Sequence, residues 1–330
     1  MVYFLARAAL TLALMLPARS IRRSEAMPAI PALVGALRTH SVAAIGELHW
    51  CRQAGDFYIA LVRDPGFQRV VNDIVVEFAS GQSQALLDRY IVAGDSISPD
   101  TLRTIWRNTT KAASWESPIY ARWLAAIRDV NRALPPGRRI RVLAGDTPID
   151  WNRLHSQADW NRLGDNNVTF ANVIEKEVIA KGRKALVVLG NNHLARGGTF
   201  RDRATNTASL VEAKYPGSMY LALIYYGPFG DSAADWQIAV EQWPAPAVFP
   251  LARNWTGNPV GTSAGQLPLA AFADALLYLG PRNALTIENP PPGALDSAYR
   301  RELARRSWIE FRDSTRVNRI LPPAGGSGRS

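Results

Sequence analysis

The stretch VAAIGELH, residues 42–49, runs four apolar residues into a glycine and then delivers a glutamate and a histidine. Two later stretches end in the same way: IVVEF (74–78) delivers Glu77, and ALVVLGNNH (185–193) delivers Asn191 and His193. Short apolar runs with many β-branched residues and no polar alternation read as strands buried on both faces, as in a parallel sheet. Open parallel sheets bind ligands in the crevice outside the carboxyl ends of their strands. The pattern therefore predicts that Glu47, His49, Glu77 and His193 gather at one rim.

RIRVLAGD (139–146), ending in Asp146, and MYLALIYYG (219–227) add two more strands. Helical segments are expected between them. One, at 56–63, is cut off by Asp64-Pro65-Gly66. A longer section at 82–134 closes with a helix that Ser117 caps, that Pro118 opens and that stops before Pro135-Pro136-Gly137. A third, at 167–181, places Phe170, Val173, Ile174 and Val178 on one face and ends at Gly182. The spacing between strands suits crossover connections, and hence parallel pairing.

Beyond Pro228 the texture turns to Pro- and Gly-rich connections, with helix candidates at 267–279 and 295–311. The expected class is α/β: a mainly parallel central sheet flanked by helices, with a C-terminal helical and irregular extension. One domain is expected over 27–312, with its core at about 40–226 and the extension at 227–312. The tail 313–330 is composed like a disordered end.

The start, MVYFLARAALTLALMLPARS, carries Arg7 and then an apolar run, so residues 1–26 read as a secretory signal peptide or as a misassigned start ahead of Met27. A cleaved signal implies an exported protein, periplasmic or extracellular; a misassigned start implies a cytoplasmic one. No later run of roughly 18 uncharged apolar residues occurs, so no stable membrane span is expected. Cys51 is the single cysteine, which excludes an intramolecular disulfide, and it reads as a small buried hydrophobe. The net charge of +10 invites an anionic partner, but the arginines are scattered along the chain. Nucleic acid is therefore not expected, and a small molecule or peptide is the expected substrate.

Glu47 and His49 are two apart, so an extended backbone points both to one side, a base beside a carboxylate that can orient it. Glu77 sits among Ile74, Val75, Val76 and Phe78, where desolvation would raise its pKa as a general acid requires. Alternatively it caps a helix N-terminus. Asp146 ends a strand or forms a turn ahead of Pro148. His40 and His155 read as loop or helix-start residues. Gly261-Thr262-Ser263-Ala264-Gly265 has nucleophile-elbow spacing, but no buried strand precedes it and no histidine follows it. There is no dinucleotide fingerprint, Walker loop or HExxH helix.

The order GELH, VVEF, LGNNH resembles the superfamily that joins erythromycin esterases, ChaN-like haem-binding proteins and Tiki-type proteases, with its EreA/ChaN-like fold. Gly46, Glu47, His49, Glu77 and His193 carry the resemblance, over residues 40–226. Leu48 alone separates the first glutamate and histidine, which is closer to the ChaN and Tiki pattern than to the esterase one. Arg52 stands for the arginine that follows the motif in esterases. What the resemblance implies is a catalytic or ligand crevice at the strand ends.

Three functions follow. The first is a hydrolase of an ester, lactone or amide: His49 is the general base, Glu47 orients it, Glu77 supplies acid or polarisation, and His193 with Arg52 stabilises the oxyanion. In a metal-dependent variant, as in a Tiki-like protease, Glu47, His49, Glu77, Asp146 and His193 hold manganese, zinc or iron. The second is a ChaN-like iron-uptake protein that holds haem through His49, His193 or a tyrosine, with Trp50, Phe57, Tyr58, Tyr225 and Tyr226 lining the pocket. The third is a binder of anionic surfaces.

Overall fold

The computed structural model describes residues 26–197, 205–226, 243–251, 260–262, 265–267, 269–291, 293–316 and 318. The expected signal segment before residue 26, residue Ser263 of the elbow-like stretch and all but the beginning of the expected disordered tail lie outside the described residues.

Each of the five apolar runs becomes a strand, and five further strands are present among the described residues. These are β1 (Met27–Pro28), β2 (Val42–Glu47), β3 (Asp73–Ser80), β4 (Arg141–Asp146), β5 (Ala185–Gly190) and β6 (Met219–Tyr225), then β7 (Ala247–Pro250), β8 (Val260–Thr262), β9 (Gly265–Leu267) and β10 (Ala275–Tyr278). Eight of them form one sheet in the order β1-β7-β10-β6-β2-β5-β3-β4, and β8 with β9 makes a separate antiparallel pair. The pairs from β10 through β6, β2, β5 and β3 to β4 are all parallel. β7 and β1 add an antiparallel edge. This is the expected α/β class.

The chain leaves β2, steps past one position to β3, reaches the edge at β4, and returns to insert β5 between β2 and β3. Because the connections are crossovers, all six parallel strands present their carboxyl ends at the same rim.

Alternation along the strands sorts their side chains onto two apolar layers. Ala43, Ile45, Ile74, Val76, Leu186 and Val188 face one layer, with Phe57, Tyr58, Leu61 and Trp123 from the helices Arg52–Arg63 and Pro118–Ala133. Val42, Ala44, Val75, Val187 and Leu189 face the other, with Phe170, Ile174 and Val178. The expected helix at 167–181 begins as Asn166–Val173, widens into a π turn over Ile174–Val178 and closes at Gly182, in the left-handed region at φ 60°.

The helix expected at 267–279 is not formed. Ala275, Leu276, Leu277 and Tyr278 are fully buried and make β10, parallel to β6 and antiparallel to β7. A run with no polar face satisfies a strand covered on both sides as well as a helix, and two open sheet edges decide the matter. The main sheet consequently continues past residue 226. The other expected helix is present as Ser297–Phe311, capped by Asp296, whose side chain accepts from the backbone N–H of Tyr299. No helix among the described residues is long and apolar enough to cross a membrane.

Between β2 and β6 the sheet parts near the carboxyl ends. β2 pairs with β5 as far as Glu47 opposite Gly190, but with β6 only as far as Ile45 opposite Ala222. The Asn191 carboxamide bridges the gap like a piece of strand: its Nδ2 donates to the Ile224 carbonyl at 3.0 Å and its Oδ1 accepts the Ile224 N–H at 3.0 Å. Gly46 lies against that carboxamide. A Cβ there would come within 1.8 Å of Asn191 Oδ1 and 2.7 Å of the Ile224 nitrogen.

Gly46→Ala should therefore lose about 1–3 kcal/mol of stability through overpacking against backbone that cannot yield. Gly35→Ala, in the helix Ala29–Thr39 with nothing near its Cβ, should gain about 0.5–1 kcal/mol. Denaturant midpoints of the two variants test this contrast, and equal shifts would refute it.

Candidate active site

Strand parity divides the strand-end residues before it brings them together. Glu47 continues the series Ala43, Ile45 and so points to the layer of the helix Pro118–Ala133; Glu77 continues the series of Val75 and points to the layer of Phe170. Two carboxylate–imidazole pairs result, one on each face, above the neighbouring strands β2, β5 and β3.

In the first pair, Glu47 is buried and its Oε1 accepts the Tyr120 hydroxyl at 2.8 Å. His49 lies just beyond the strand end with Nδ1 3.6 Å from the same oxygen, and its side chain is 42% exposed. The Trp115 ring meets the imidazole edge-on at 4.4 Å, and meets Tyr120 edge-on at 5.3 Å. Burial against these rings pulls the imidazole pKa down. The Glu47 carboxylate, with Glu77 behind it and Lys111 opposing, outweighs this and holds the pKa above the ordinary 6.5.

In the second pair, His193 follows β5 on the short helix Asn191–Leu194, with Nε2 3.5 Å from Glu77 Oε1. Its Nδ1 is 2.8 Å from Asn167 Oδ1, an oxygen that also accepts the Thr207 N–H at 3.2 Å. An atom that takes a backbone N–H is an acceptor, so the assigned arrangement makes His193 Nδ1 the donor. Phe170 lies edge-on to the ring at 5.2 Å. Burial pushes Glu77 up, as its apolar neighbours suggest. The charge and hydrogen bond of His193, then His49 and the Gly190 N–H at 2.9 Å, override that and hold its carboxyl well below the ordinary range. The direction is thus opposite to the rise that its apolar neighbours alone suggest.

Asp146, also buried, is bound differently. Its two oxygens accept the Thr110 N–H and hydroxyl, both at 2.6 Å, and the Asn166 Nδ2 at 2.9 Å. Burial pushes its pKa up to about 7 against the pull of Thr110. Its visible work is to tie residues 108–117 to the sheet.

That connection forms the second wall of the site and escaped the sequence reading. It carries Thr110, Trp115 and Lys111, whose charge acts on both His49 and Asp146. Tyr120 and Asn167 escaped as well. The only local signals were the Ser117-Pro118 and Asp165 helix starts just before them. Arg52, in contrast, starts the helix Arg52–Arg63 with its side chain 66% exposed, and its guanidinium lies 3.8 Å from Asp56, one helical turn on. It is turned to solvent and not into the cluster. His40 sits at the opposite end of β2, bonded to Thr39 and the Ala36 carbonyl, and His155 is exposed in a loop.

Among the described residues no group of three or more His, Cys, Asp and Glu side chains is gathered as a metal-binding set. The reason is visible in the partners: Glu47 is taken by Tyr120 and His49, Asp146 by three donors, and His193 by Asn167 and Glu77. The aromatic residues expected around a haem do not share a pocket. Phe57 and Tyr58 are core on one face of the sheet, Tyr225 is core on the other, and Tyr226 is exposed.

The chain matches no family model and no curated protein. Among solved structures it is similar to a protein from Bacillus cereus, at 11% identity and a TM-score of 0.56, covering 82% of this chain and 97% of that one. It is similar to a mutant of erythromycin esterase EreC in its open conformation, at 10% identity and a TM-score of 0.55, over 78% of this chain and 94% of that one. A succinoglycan biosynthesis protein matches at 11% identity and a TM-score of 0.52, over 80% of this chain and 96% of that one. The chain shares the fold of EreC.

The four histidines make the first pair directly testable by NMR titration. His49 should titrate above 6.5 in the parent. In Glu47→Gln, burial is left with much less opposition and the midpoint should fall. An unchanged midpoint would show that Glu47 does not govern the imidazole.

Proposed function

We propose that this chain hydrolyses an ester, lactone or amide bond, with His49 as general base. The observation that carries the reading is the asymmetry of the first pair: a half-exposed imidazole whose Nδ1 faces a buried carboxylate that Tyr120 holds in place. That leaves Nε2 for water. Such an arrangement fixes the tautomer, and the carboxylate stabilises the imidazolium that forms in the reaction.

In this mechanism His49 takes a proton from water while the oxygen attacks the carbonyl carbon. The carbonyl π pair moves onto its oxygen, and Lys111 is the nearby cation that stabilises that charge, taking the role first given to Arg52. Collapse of the tetrahedral intermediate expels the alkoxide or amine, which recovers the proton from His49. Glu77 and His193 form the opposite polar wall and, with Glu77 an anion, keep His49 in a field that favours its protonated form. The likeness to EreC supports the scaffold; the substrate class rests on the site.

A panel of aryl esters, lactones and peptides tests the reading. His49→Ala should cost about 10²–10⁴-fold in kcat/KM on any substrate found. The rate should rise with pH through an inflection above 6.5, because the base must be unprotonated. Since the donor set is internally satisfied, a chelator should leave turnover unchanged. Activity that survives in His49→Ala, or that chelation abolishes, would overturn the mechanism.

A further inference from the structure

At the far rim, beside the amino-terminal end of β4, three arginines surround a cavity of about 160 Å³. Arg128 and Arg132 come from the last two turns of the helix Pro118–Ala133, and Arg139 from the connection into β4. Residues 91–94, at the end of the short helix Asp88–Ala93, close the other side.

The partners of these arginines leave them unbalanced. Arg128 Nη2 donates to the carbonyls of Gly94 at 2.7 Å and Asp95 at 3.0 Å, its guanidinium lies over the Tyr90 ring at 4.9 Å, and Arg139 Nη1 donates to the Val92 carbonyl at 2.7 Å. These contacts cap the helix end, but they neutralise only part of one charge. The Nε–H of both Arg128 and Arg139 is buried without a hydrogen-bond partner. The nearby acids are engaged elsewhere: Asp95 with Arg89 at 2.8 Å, and Asp129 with Arg132 at 2.9 Å. Among the described residues neither Arg128 nor Arg139 has a carboxylate within ion-pair distance.

We infer that this cavity binds a phosphate-type oxyanion, free or as a phosphate ester. Guanidinium forks match the spacing of phosphate oxygens, and of the three cations lining the cavity only Arg132 meets a carboxylate among the described residues. The cavity is smaller than the roughly 300–1,000 Å³ that drug-sized ligands occupy, which favours a compact anion or the head of a larger molecule. Asn131 lies in the same wall with its amide committed to the Ile91 and Ile140 carbonyls and the Ile140 N–H, so the lining is braced. Nothing in this site touches the strand-end cluster.

Calorimetric titration of the full chain with inorganic phosphate at low ionic strength tests the inference. One saturable site is expected. Arg128→Gln combined with Arg139→Gln should weaken it at least tenfold, while His49→Ala should bind phosphate as the parent does. Because the double variant also removes helix caps, Arg132→Gln, an exposed change, gives a second reading with a smaller loss. Phosphatidylcholine vesicles containing phosphatidic acid separate the sources: capture that phosphate competes away assigns a lipid headgroup, and phosphate binding without capture assigns a soluble ligand. No saturable phosphate binding by the parent, or parent-like affinity in both arginine variants, would overturn the site.

Discussion

Burying a carboxylate at the end of a strand is costly unless partners reach it, and two such carboxylates organise this molecule. Glu47 and Glu77 are 6% and 3% exposed, and a charge taken out of water must be hydrogen-bonded and paired or it will be neutralised. Each is satisfied by one imidazole and one donor of fixed geometry: His49 and the Tyr120 hydroxyl for Glu47, His193 and the Gly190 N–H for Glu77. The alternation of strand side chains puts the two solutions on opposite faces of the sheet. They communicate only over the rim, where Glu77 and His49 feel each other's charge.

The rim is open because the sheet is allowed to part there. Ending the β2–β6 ladder early would leave backbone groups of Ile224 unpaired in a dry environment, and the Asn191 carboxamide takes the place of the missing strand. The same substitution recurs at the outer edge. Gln84 donates to the Val142 carbonyl and accepts the Ala144 N–H, which covers the free side of β4. Side-chain amides thus finish the sheet at these two places, and Gly46 is what one of them requires beneath it.

Much of this was legible because strand-end chemistry is local. An apolar run followed by Glu or His states both where a strand stops and what it carries, so Glu47, His49, Glu77 and His193 could be placed from the sequence. Their settings could not. Tyr120 lies 73 residues from the Glu47 it holds, and Asn167 lies 26 from His193; such contacts are made by packing and have no periodic signature. Glu77 illustrates the difference most clearly. Its apolar neighbours correctly signalled burial, but the sign of its pKa shift is set by His193, from the short helix that follows another strand. Arg52 failed for the opposite reason: closeness in sequence to His49 says nothing once the helix beginning there turns the side chain outward. The run at 275–278 was ambiguous between helix and strand until the open edges of β6 and β7 chose for it.

The wall over His49 owes its position to a part of the chain that contributes nothing else to the first pair. Glu116, next to Trp115, is buried and accepts the Tyr299 hydroxyl at 2.7 Å, while Arg107 stacks on the Tyr299 ring at 3.9 Å and lies 3.4 Å from Glu116. Arg306 donates to the Arg107 carbonyl at 2.5 Å and to Asn108 at 3.2 Å. The helix Ser297–Phe311 therefore clamps both ends of the connection that presents Lys111 and Trp115. Across the site, Trp50 and Ala113 hold left-handed backbone at φ 64° and 65°, a conformation that costs about 1–3 kcal/mol per non-glycine residue, and the Trp50 indole N–H donates to the Ser114 carbonyl at 2.7 Å. Strain of that size persists only where surrounding contacts overdetermine it. Here those contacts are the clamp on one side and the Asp146–Thr110 bonds on the other, so the pose of the imidazole is set by elements more than a hundred residues apart in sequence.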